Sequence, residues 1–286
     1  MTIARLEPSE TLDAHLDFHM NAGVDLVLAA DPGSQQTSET VDRHERAGSL
    51  RRIPTSEASS HTDLARLAVS EHAADWVIPS VANEFWWPRG ESLADVLAVI
   101  PQRYAVVQGL VRSFAGRREG SFFAEEMTAR TSLLVSGRPA GDPPQRLLRP
   151  VYRAAPELVI DDDDWTLDGR RVPLRAWYPI EVLTFPEQTF VDLDRLDDLL
   201  AEGVLAVDTR LRDVLRELRM GGRSTFAVPT IVDDASYAVE CAAVGEVDLV
   251  RLDVQIRELE FRIGALEARF WPRVRRVLRR LARRRR

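Results

Sequence analysis

Short apolar segments alternate with amphipathic segments over the first 78 residues, and this alternation constrains the fold more than any other feature. Strand-like patterns occur at residues 2–5, 24–30, 50–53 and 76–78. Apolar residues recur at helical spacing in residues 9–22, 37–47 and 61–73. Strands that are separated by helices of about 10–15 residues form parallel sheets whose faces the helices cover. We therefore predict an α/β fold with a Rossmann-like sheet flanked by helices.

The second half of the chain combines further strands with a helical C-terminal region. Strands are predicted at residues 104–114, 151–160 and 171–183, which makes the complete sheet a mixed one, and residues 190–220 have helical spacing. The patterns predict three parts, namely an α/β domain, a helical extension, and a coiled-coil helix with a basic tail, at residues 1–190, 191–245 and 246–286.

A heptad pattern occupies residues 249–270. Apolar residues recur there at alternating steps of three and four, at Leu249, Leu252, Ile256, Leu259, Ile263, Leu266 and Phe270. This is the seam of a short coiled coil, and it predicts a homo-oligomer. Packing of the same helix on the body of the protein is an equally weighted alternative, because three heptads are the lower limit for an independent coil.

Charge is distributed unevenly along the chain. All 38 basic residues are arginines, and ten of them lie in residues 269–286, which contain no acidic residue. The preceding 268 residues hold the other 28 arginines and all 45 acidic residues. A basic amphipathic helix with Trp271 near its start predicts contact with an anionic membrane surface. A solvated or nucleic-acid-binding tail is the alternative, but the acidic body argues against nucleic acid.

Cysteine content and hydropathy suggest a cytoplasmic protein. Cys241 is the single cysteine, which excludes an intramolecular disulfide and fits a reducing compartment. The sequence shows neither a secretory signal nor an apolar stretch of the roughly 20 residues that a transmembrane helix needs. With the basic tail, this predicts a cytoplasmic protein that lies peripherally on the inner membrane face.

The segment from Asp75 to Gly90 reads DWVIPSVANEFWWPRG. It resembles the strand and DxD region of glycosyltransferase family 2-like proteins of the GT-A fold, and the resemblance extends over most of residues 1–190. It is most continuous from Pro173 to Pro186, which read PLRAWYPIEVLTFP. The resemblance implies a GT-A domain that transfers a sugar from a nucleotide-sugar donor to an acceptor.

The resemblance implies a nucleotide site after the second strand. Asp31, Gly33 and Ser34 match the family loop that holds the nucleotide. An acidic side chain at a strand end can accept hydrogen bonds from a ribose or base, and glycine lets the backbone approach a phosphate. An ordinary βα turn is the alternative, because the same residues suit it well.

The metal ligands of the family are replaced in this chain. A divalent cation, Mn²⁺ or Mg²⁺, is expected for the family, but Val81, Asn83 and Thr184 stand where its ligands would be. Neutral or apolar side chains bind hard cations poorly, so no metal ligand is predicted. The acidic run from Asp161 to Asp164 is interpreted as a solvated loop, with loose cation binding as the alternative.

The remaining site residues follow from the same resemblance. Glu84 is the candidate general base, Asn83 is expected near the diphosphate, and the pocket is predicted from four residues, Trp86, Trp87, Tyr178 and Glu181. Core packing is the alternative for the two tryptophans. Arg112 and Arg130 are candidate phosphate contacts, with solvated surface arginines as the alternative.

The sequence is therefore compatible with two functions. The first is sugar transfer at the cytoplasmic membrane face, without a metal, with arginines stabilising the leaving diphosphate. The second is a catalytically inactive paralogue that binds sugar or nucleotide and recruits a partner as a scaffold.

Overall fold

The first 80 residues form a four-stranded parallel sheet. The structure is a computed structural model, and it describes residues 1–7, 9–33, 38–116, 122–131, 134–135, 138–139, 148–160, 173–174, 178–185, 193–226, 237–242 and 244. The strands in this region are β1 (Thr2–Ile3), β2 (Val27–Asp31), β3 (Leu50–Pro54), β4 (Trp76–Val77) and β5 (Pro79–Ser80). All except β4 pair in parallel, in the order β3-β2-β1-β5. The predicted Rossmann-like alternation is confirmed.

Three helices connect these strands, and each begins at a serine. They are α1 (Glu10–Asn21), α2 (Glu39–Arg46) and α3 (His61–His72). The hydroxyl oxygens of Ser9, Ser38 and Ser60 accept hydrogen bonds from backbone N–H groups in the first turn of each helix. Such caps satisfy N–H groups that have no partner within the helix, so the sequence itself fixes where each helix starts.

A mixed sheet is centred on the long strand β7. The elements of this part are β6 (Glu84–Pro88), α4 (Leu93–Ala98), β7 (Val106–Ala115), α5 (Phe123–Glu126), β8 (Ala129–Thr131), β9 (Leu134–Val135), β10 (Arg138–Pro139), β11 (Leu148–Arg153), β12 (Pro173–Leu174) and β13 (Ile180–Thr184). Strand β7 pairs antiparallel with β8 and β11 and parallel with β12 and β13. Strand β4 joins this sheet through β11, and β9 pairs with β10 separately. The mixed α/β fold with parallel and antiparallel strands agrees with the prediction.

The register of β6 and β13 determines which side chains share a face. These strands are antiparallel, with Trp87 opposite Glu181 and Glu84 opposite Thr184. Neighbouring residues of a strand point to opposite faces of the sheet. Glu84 and Trp86 therefore belong to one face, whereas Trp87 and Glu181 belong to the other.

Three predicted elements differ from the structure. In place of one strand at residues 171–183, the described residues contain two, β12 and β13. The strand expected at residues 151–160 ends at Arg153. Beyond it, Leu158 and Ile160 are buried outside the strand, whereas Val159 is exposed. The region 190–220 is not continuously helical. A 3₁₀ turn (Leu193–Arg195) leads into α6 (Leu196–Ala201), β14 (Leu205–Val207) follows, and α7 (Arg210–Arg219) ends the region. The reason is Gly203, whose φ of +73° turns the chain so that β14 can pair with β8.

The core packs α1 and α7 against the mixed sheet. Phe18 contacts Phe85, Trp87 and Phe226 through its ring. Residues Met1–Cys241 form one compact unit by their contacts, and Ala242–Arg286 form a second. The predicted boundaries after residues 190 and 245 stay predictions.

Candidate functional site

The residues that are predicted to bind the nucleotide lie at the edge of the sheet formed by the carboxyl ends of the parallel strands. Strand β1 lies between β2 and β5, so the strand order reverses beside it. Open α/β sheets bind ligands in the crevice outside the carboxyl ends of the strands at such a reversal. Ile3 pairs with Ser80 at this point, which places residues 81–83 beside the crevice.

Asp31 is the last residue of β2 and forms a turn with Gly33. Its Oδ1 accepts a hydrogen bond of 2.8 Å from the Gly33 backbone N–H, and its Oδ2 lies 3.9 Å from Nη1 of Arg52. Gly33 has a φ of +83°, and apart from its chain neighbours no atom of the described residues lies within 4 Å of the place where a Cβ would be. The backbone is thus open to an approaching group at Gly33. Ser34 lies outside the described residues.

Val81 and Asn83 follow β5 at the same edge. Val81 is 45% exposed, so it does not close the crevice. Asn83 is held by Phe185, since its Nδ2 donates to the Phe185 carbonyl at 3.2 Å and its own carbonyl accepts from the Phe185 N–H at 3.0 Å. Thr184 donates to Oγ of Ser113 at 3.2 Å, inside the sheet. The described residues contain no group of three or more His, Cys, Asp or Glu side chains that could hold a metal ion.

Glu84 is a buried carboxylate with an arginine partner that the sequence did not reveal. Its side chain is 5% exposed, and its Oε1 accepts a hydrogen bond of 2.7 Å from Nε of Arg149, whose side chain is 32% exposed. Burial raises the pKa of Glu84, and the guanidinium of Arg149 opposes part of that rise. The pair therefore combines a carboxylate with a raised pKa and a cation that reaches solvent.

The predicted pocket residues lie in the core of the structure. Trp86 is 0% exposed and donates from Nε1 to Oγ of Ser80 at 3.0 Å. Trp87 is nearly buried and packs edge-on against Phe226, with ring centroids 5.0 Å apart. Tyr178 is also fully buried. The two tryptophans lie on opposite faces of the sheet, so the structure does not bring the predicted pocket residues together.

Glu181 lies among three arginines. It accepts hydrogen bonds from Arg89, Arg112 and Arg210. Burial by itself would raise the pKa of Glu181, but the guanidinium groups of Arg210 and Arg112 outweigh burial and hold that pKa well below its ordinary value. Glu181 is therefore an ionised carboxylate. Because it occupies the face of the sheet opposite Glu84, it is separate from the Glu84–Arg149 pair.

A cavity of about 650 Å³ lies among the described residues at the other end of the parallel strands. Its lining includes Met1 before β1, Asp25 before β2, and Trp76 at the start of β4. These are the amino ends of the strands, so the cavity and the predicted nucleotide edge are at opposite ends of the sheet.

Three predictions fall on residues that the structure does not describe. They concern the acidic run 161–164, the coiled coil 249–270 and the basic tail 269–286. Within the described part of the chain, no helix has both the length and the apolar character that crossing a membrane would require.

Comparison with known proteins shows only distant structural similarity. No family model matches the chain, and no curated protein does. The structure is similar to the crystal structure of residues 1–349 of TarS from S. aureus, a glycosyltransferase, with a TM-score of 0.32 and 12% sequence identity. The similarity covers 71% of this chain and 70% of the TarS chain.

Proposed function

We propose that the chain is a glycosyltransferase-like protein of the GT-A fold that binds a nucleotide-sugar at the carboxyl edge of its parallel sheet. One observation carries this proposal. Asp31 ends β2 and residues 81–83 follow β5, and these two strands flank β1, where the strand order reverses and α/β sheets bind ligands. The resemblance of residues 1–190 to family 2-like glycosyltransferases supports the same assignment.

The nucleotide would be held by the turn after β2. Asp31 offers carboxylate oxygens to the ribose or base, and the open backbone at Gly33 leaves room for the phosphates to approach. Ser34 completes this loop in the proposal. Asn83 would lie near the diphosphate, at the crevice between β1 and β5.

Transfer would proceed without a metal ion. Glu84 takes the proton of an acceptor hydroxyl, the hydroxyl oxygen bonds to the anomeric carbon, and the bond from that carbon to the donor diphosphate breaks. Burial raises the pKa of Glu84 toward the range that a general base needs, and Arg149 opposes part of that rise. The guanidinium of Arg149, which is 32% exposed, supplies the positive charge that a leaving diphosphate requires.

Calorimetric titration with UDP and GDP, each with and without Mn²⁺, tests this proposal. We expect binding that does not depend on Mn²⁺ and that falls about tenfold or more in Asp31→Asn, since hydrogen bonds to a charged group contribute about 1.5–3 kcal/mol. Asp25→Asn is a matched control, because Asp25 is an exposed aspartate near the amino end of the same strand. Equal binding by the two variants would remove Asp31 from the site, and dependence on Mn²⁺ would contradict metal-free binding.

Glu84→Gln separates catalysis from binding. We expect loss of sugar transfer with donor binding retained, because glutamine keeps the size of the side chain but cannot accept the proton at neutral pH. Transfer at the wild-type rate would exclude Glu84 as the base.

A non-catalytic protein that binds sugar or nucleotide is the second candidate. The observation that favours it is the burial of Trp86, Trp87 and Tyr178, which leaves these aromatic rings in the core and not available for stacking on a sugar. Nucleotide binding without transfer to any acceptor in a screen would support this candidate. In that case the segment 249–270 would recruit an active partner through a coiled coil.

Under either candidate function, the basic tail of residues 269–286 would bring the protein to the cytoplasmic membrane face. Sedimentation with anionic liposomes tests this part of the proposal on the full chain and on a variant without residues 269–286. Equal sedimentation of the two would exclude a membrane role for the tail.

A further inference from the structure

Four arginines and three carboxylates form a largely buried network on the face of the mixed sheet opposite Glu84. We call it the arginine cluster, and its members are Arg89, Arg112, Arg130, Arg210, Glu181, Asp208 and Glu240. They come from β7, β8 and β13, from the ends of β6 and β14, from α7 and from the helical segment 237–242. Arg112 and Arg130 are the two arginines predicted from the sequence to be candidate phosphate contacts, and both belong to this cluster.

The carboxylates of the cluster already have donors. Each oxygen of Glu181 accepts from two arginines, Oε1 from Arg89 and Arg210 at 3.2 and 3.1 Å, and Oε2 from Arg112 and Arg210 at 2.9 and 3.4 Å. Both oxygens of Asp208 accept from Arg210, at 3.0 and 2.8 Å. These two carboxylates therefore already accept several charge-assisted bonds each.

Two guanidinium groups keep nitrogen atoms that have no acceptor among the described residues. Nη1 of Arg112 is buried without a hydrogen bond, although the other two nitrogens of this side chain donate to Glu181 and Glu240. Nε of Arg130 is buried as well and lies 3.2 Å from Oδ2 of Asp208 without forming a hydrogen bond to it. A buried charged donor without an acceptor is costly, so both nitrogens favour an added acceptor.

The charges of the cluster lead to the same conclusion. Among the residues that the structure describes, four guanidinium groups face three carboxylates, so this described set has one positive charge in excess. Burial lowers the pKa of Arg130, and the guanidinium of Arg112 lowers it further. The two arginines are close because Arg130 pairs with Phe114 across β7 and β8, two residues beyond Arg112.

We propose that the arginine cluster is a binding site for a phosphoryl group, held between Arg112 and Arg130. Two guanidinium groups match the oxygens of a phosphate, and one such anion supplies both the missing acceptors and the missing negative charge. The cluster reaches solvent on the side of Arg130 and Arg210, whose side chains are 22% and 37% exposed, so we expect the anion to enter there. The site lies on the other face of the sheet from Glu84 and does not depend on the proposed function.

Titration of the full chain with inorganic phosphate tests the proposal, with sodium chloride at the same ionic strength as the reference. We expect phosphate to bind and Arg130→Gln to weaken that binding about tenfold or more, because a charge-assisted hydrogen bond is lost. Arg130 is chosen because Asp208 keeps its bonds to Arg210 when Arg130 is replaced. Arg216→Gln is the matched control, since Arg216 is an exposed arginine of α7 that pairs with Glu125. Wild-type affinity in Arg130→Gln, or no phosphate binding beyond that of chloride, would overturn the proposal.

A second titration identifies the source of the phosphoryl group. UDP affinity that falls in Arg130→Gln as much as phosphate affinity does assigns the site to a nucleotide phosphate. UDP affinity that stays at the wild-type value, with phosphate affinity lowered, assigns it to free phosphate. Both outcomes support a phosphoryl-binding site at the arginine cluster. The role of Asp31 is tested separately by Asp31→Asn.

Discussion

Arg149 donates from Nε to Oε1 of Glu84 at 2.7 Å, although their strands, β11 and β6, do not pair with each other. The carboxylate is buried, whereas the guanidinium is partly solvated. Removing Arg149 would therefore leave a buried charge on Glu84, whereas removing Glu84 would leave Arg149 in contact with water.

Arg149→Gln should destabilise the protein more than Glu84→Gln. Removing one partner of a buried ion pair costs about 3–5 kcal/mol, and we expect about 2–3 kcal/mol here because Arg149 is partly solvated. Glu84→Gln should cost about 1 kcal/mol, since Arg149 can then turn to water. Urea unfolding of both single variants and of the double variant measures this coupling. A double variant as unstable as the sum of the singles would show that the two residues do not interact.

Gly109→Ala should destabilise the mixed sheet through a steric clash. A Cβ at position 109 would lie 2.7 Å from Cγ2 of Val182 and 3.3 Å from Cζ3 of Trp86. Overpacking of this kind costs about 1–3 kcal/mol. Val182→Ala removes the closer atom, so the cost of Gly109→Ala should be smaller in a Val182→Ala background. The same cost in both backgrounds, measured by thermal unfolding, would exclude Val182 as the source of the clash.

The protein should lose stability as the pH falls below about 6.5. Burial lowers the pKa of His15 from 6.5 to about 3, and burial followed by the nearby His15 lowers that of His19. Between about pH 3 and pH 6.5, the unfolded chain therefore binds more protons than the folded chain. The stabilisation from neutral histidines is complete above pH 6.5 and is lost as the pH falls, by about 1.4 kcal/mol per pH unit for each histidine.

Chemical unfolding at a series of pH values checks this prediction. His15→Gln should flatten the pH dependence, whereas His72→Gln should leave it unchanged, because His72 is exposed. A wild-type slope in His15→Gln would show that other groups cause the acid sensitivity.

Trp86→Phe should reduce stability without reducing nucleotide affinity. The indole is fully buried, and its Nε1 donates to Ser80, so the variant loses this hydrogen bond and leaves a small void. We expect a loss of about 1–3 kcal/mol from the two effects. Urea unfolding and titration with UDP measure them separately. Weaker UDP binding at unchanged stability would instead place Trp86 in the binding site.

The parallel sheet could be predicted from the sequence because its signals are local. Each helix of this part begins at a serine, and β2 lies in a short apolar run, so β1, β2, β3 and their helices lie close to the predicted positions. The strand β14 was missed since only three residues form it, and its pairing with β8 depends on a partner more than 70 residues earlier in the chain.

The candidate site was predictable only at the strand ends. Asp31 and Asn83 follow predicted strands, and the rule that parallel strands end at a common edge placed them. Arg149 could not be assigned to Glu84, because 65 residues separate them and an arginine-rich chain offers many equivalent partners. Trp86 and Trp87 face opposite ways because they are neighbours in β6, a strand that was not predicted from the sequence.

The contacts of α1 have a consequence for biosynthesis. Asn21, at the end of this first helix, exchanges side-chain hydrogen bonds with the backbone of Ser224, and Phe18 packs on Phe226. More than 200 residues separate these partners along the chain. A ribosome must therefore translate most of the protein before the first helix can complete its packing, so the apolar face of α1 stays open during synthesis and is a ready target for chaperones.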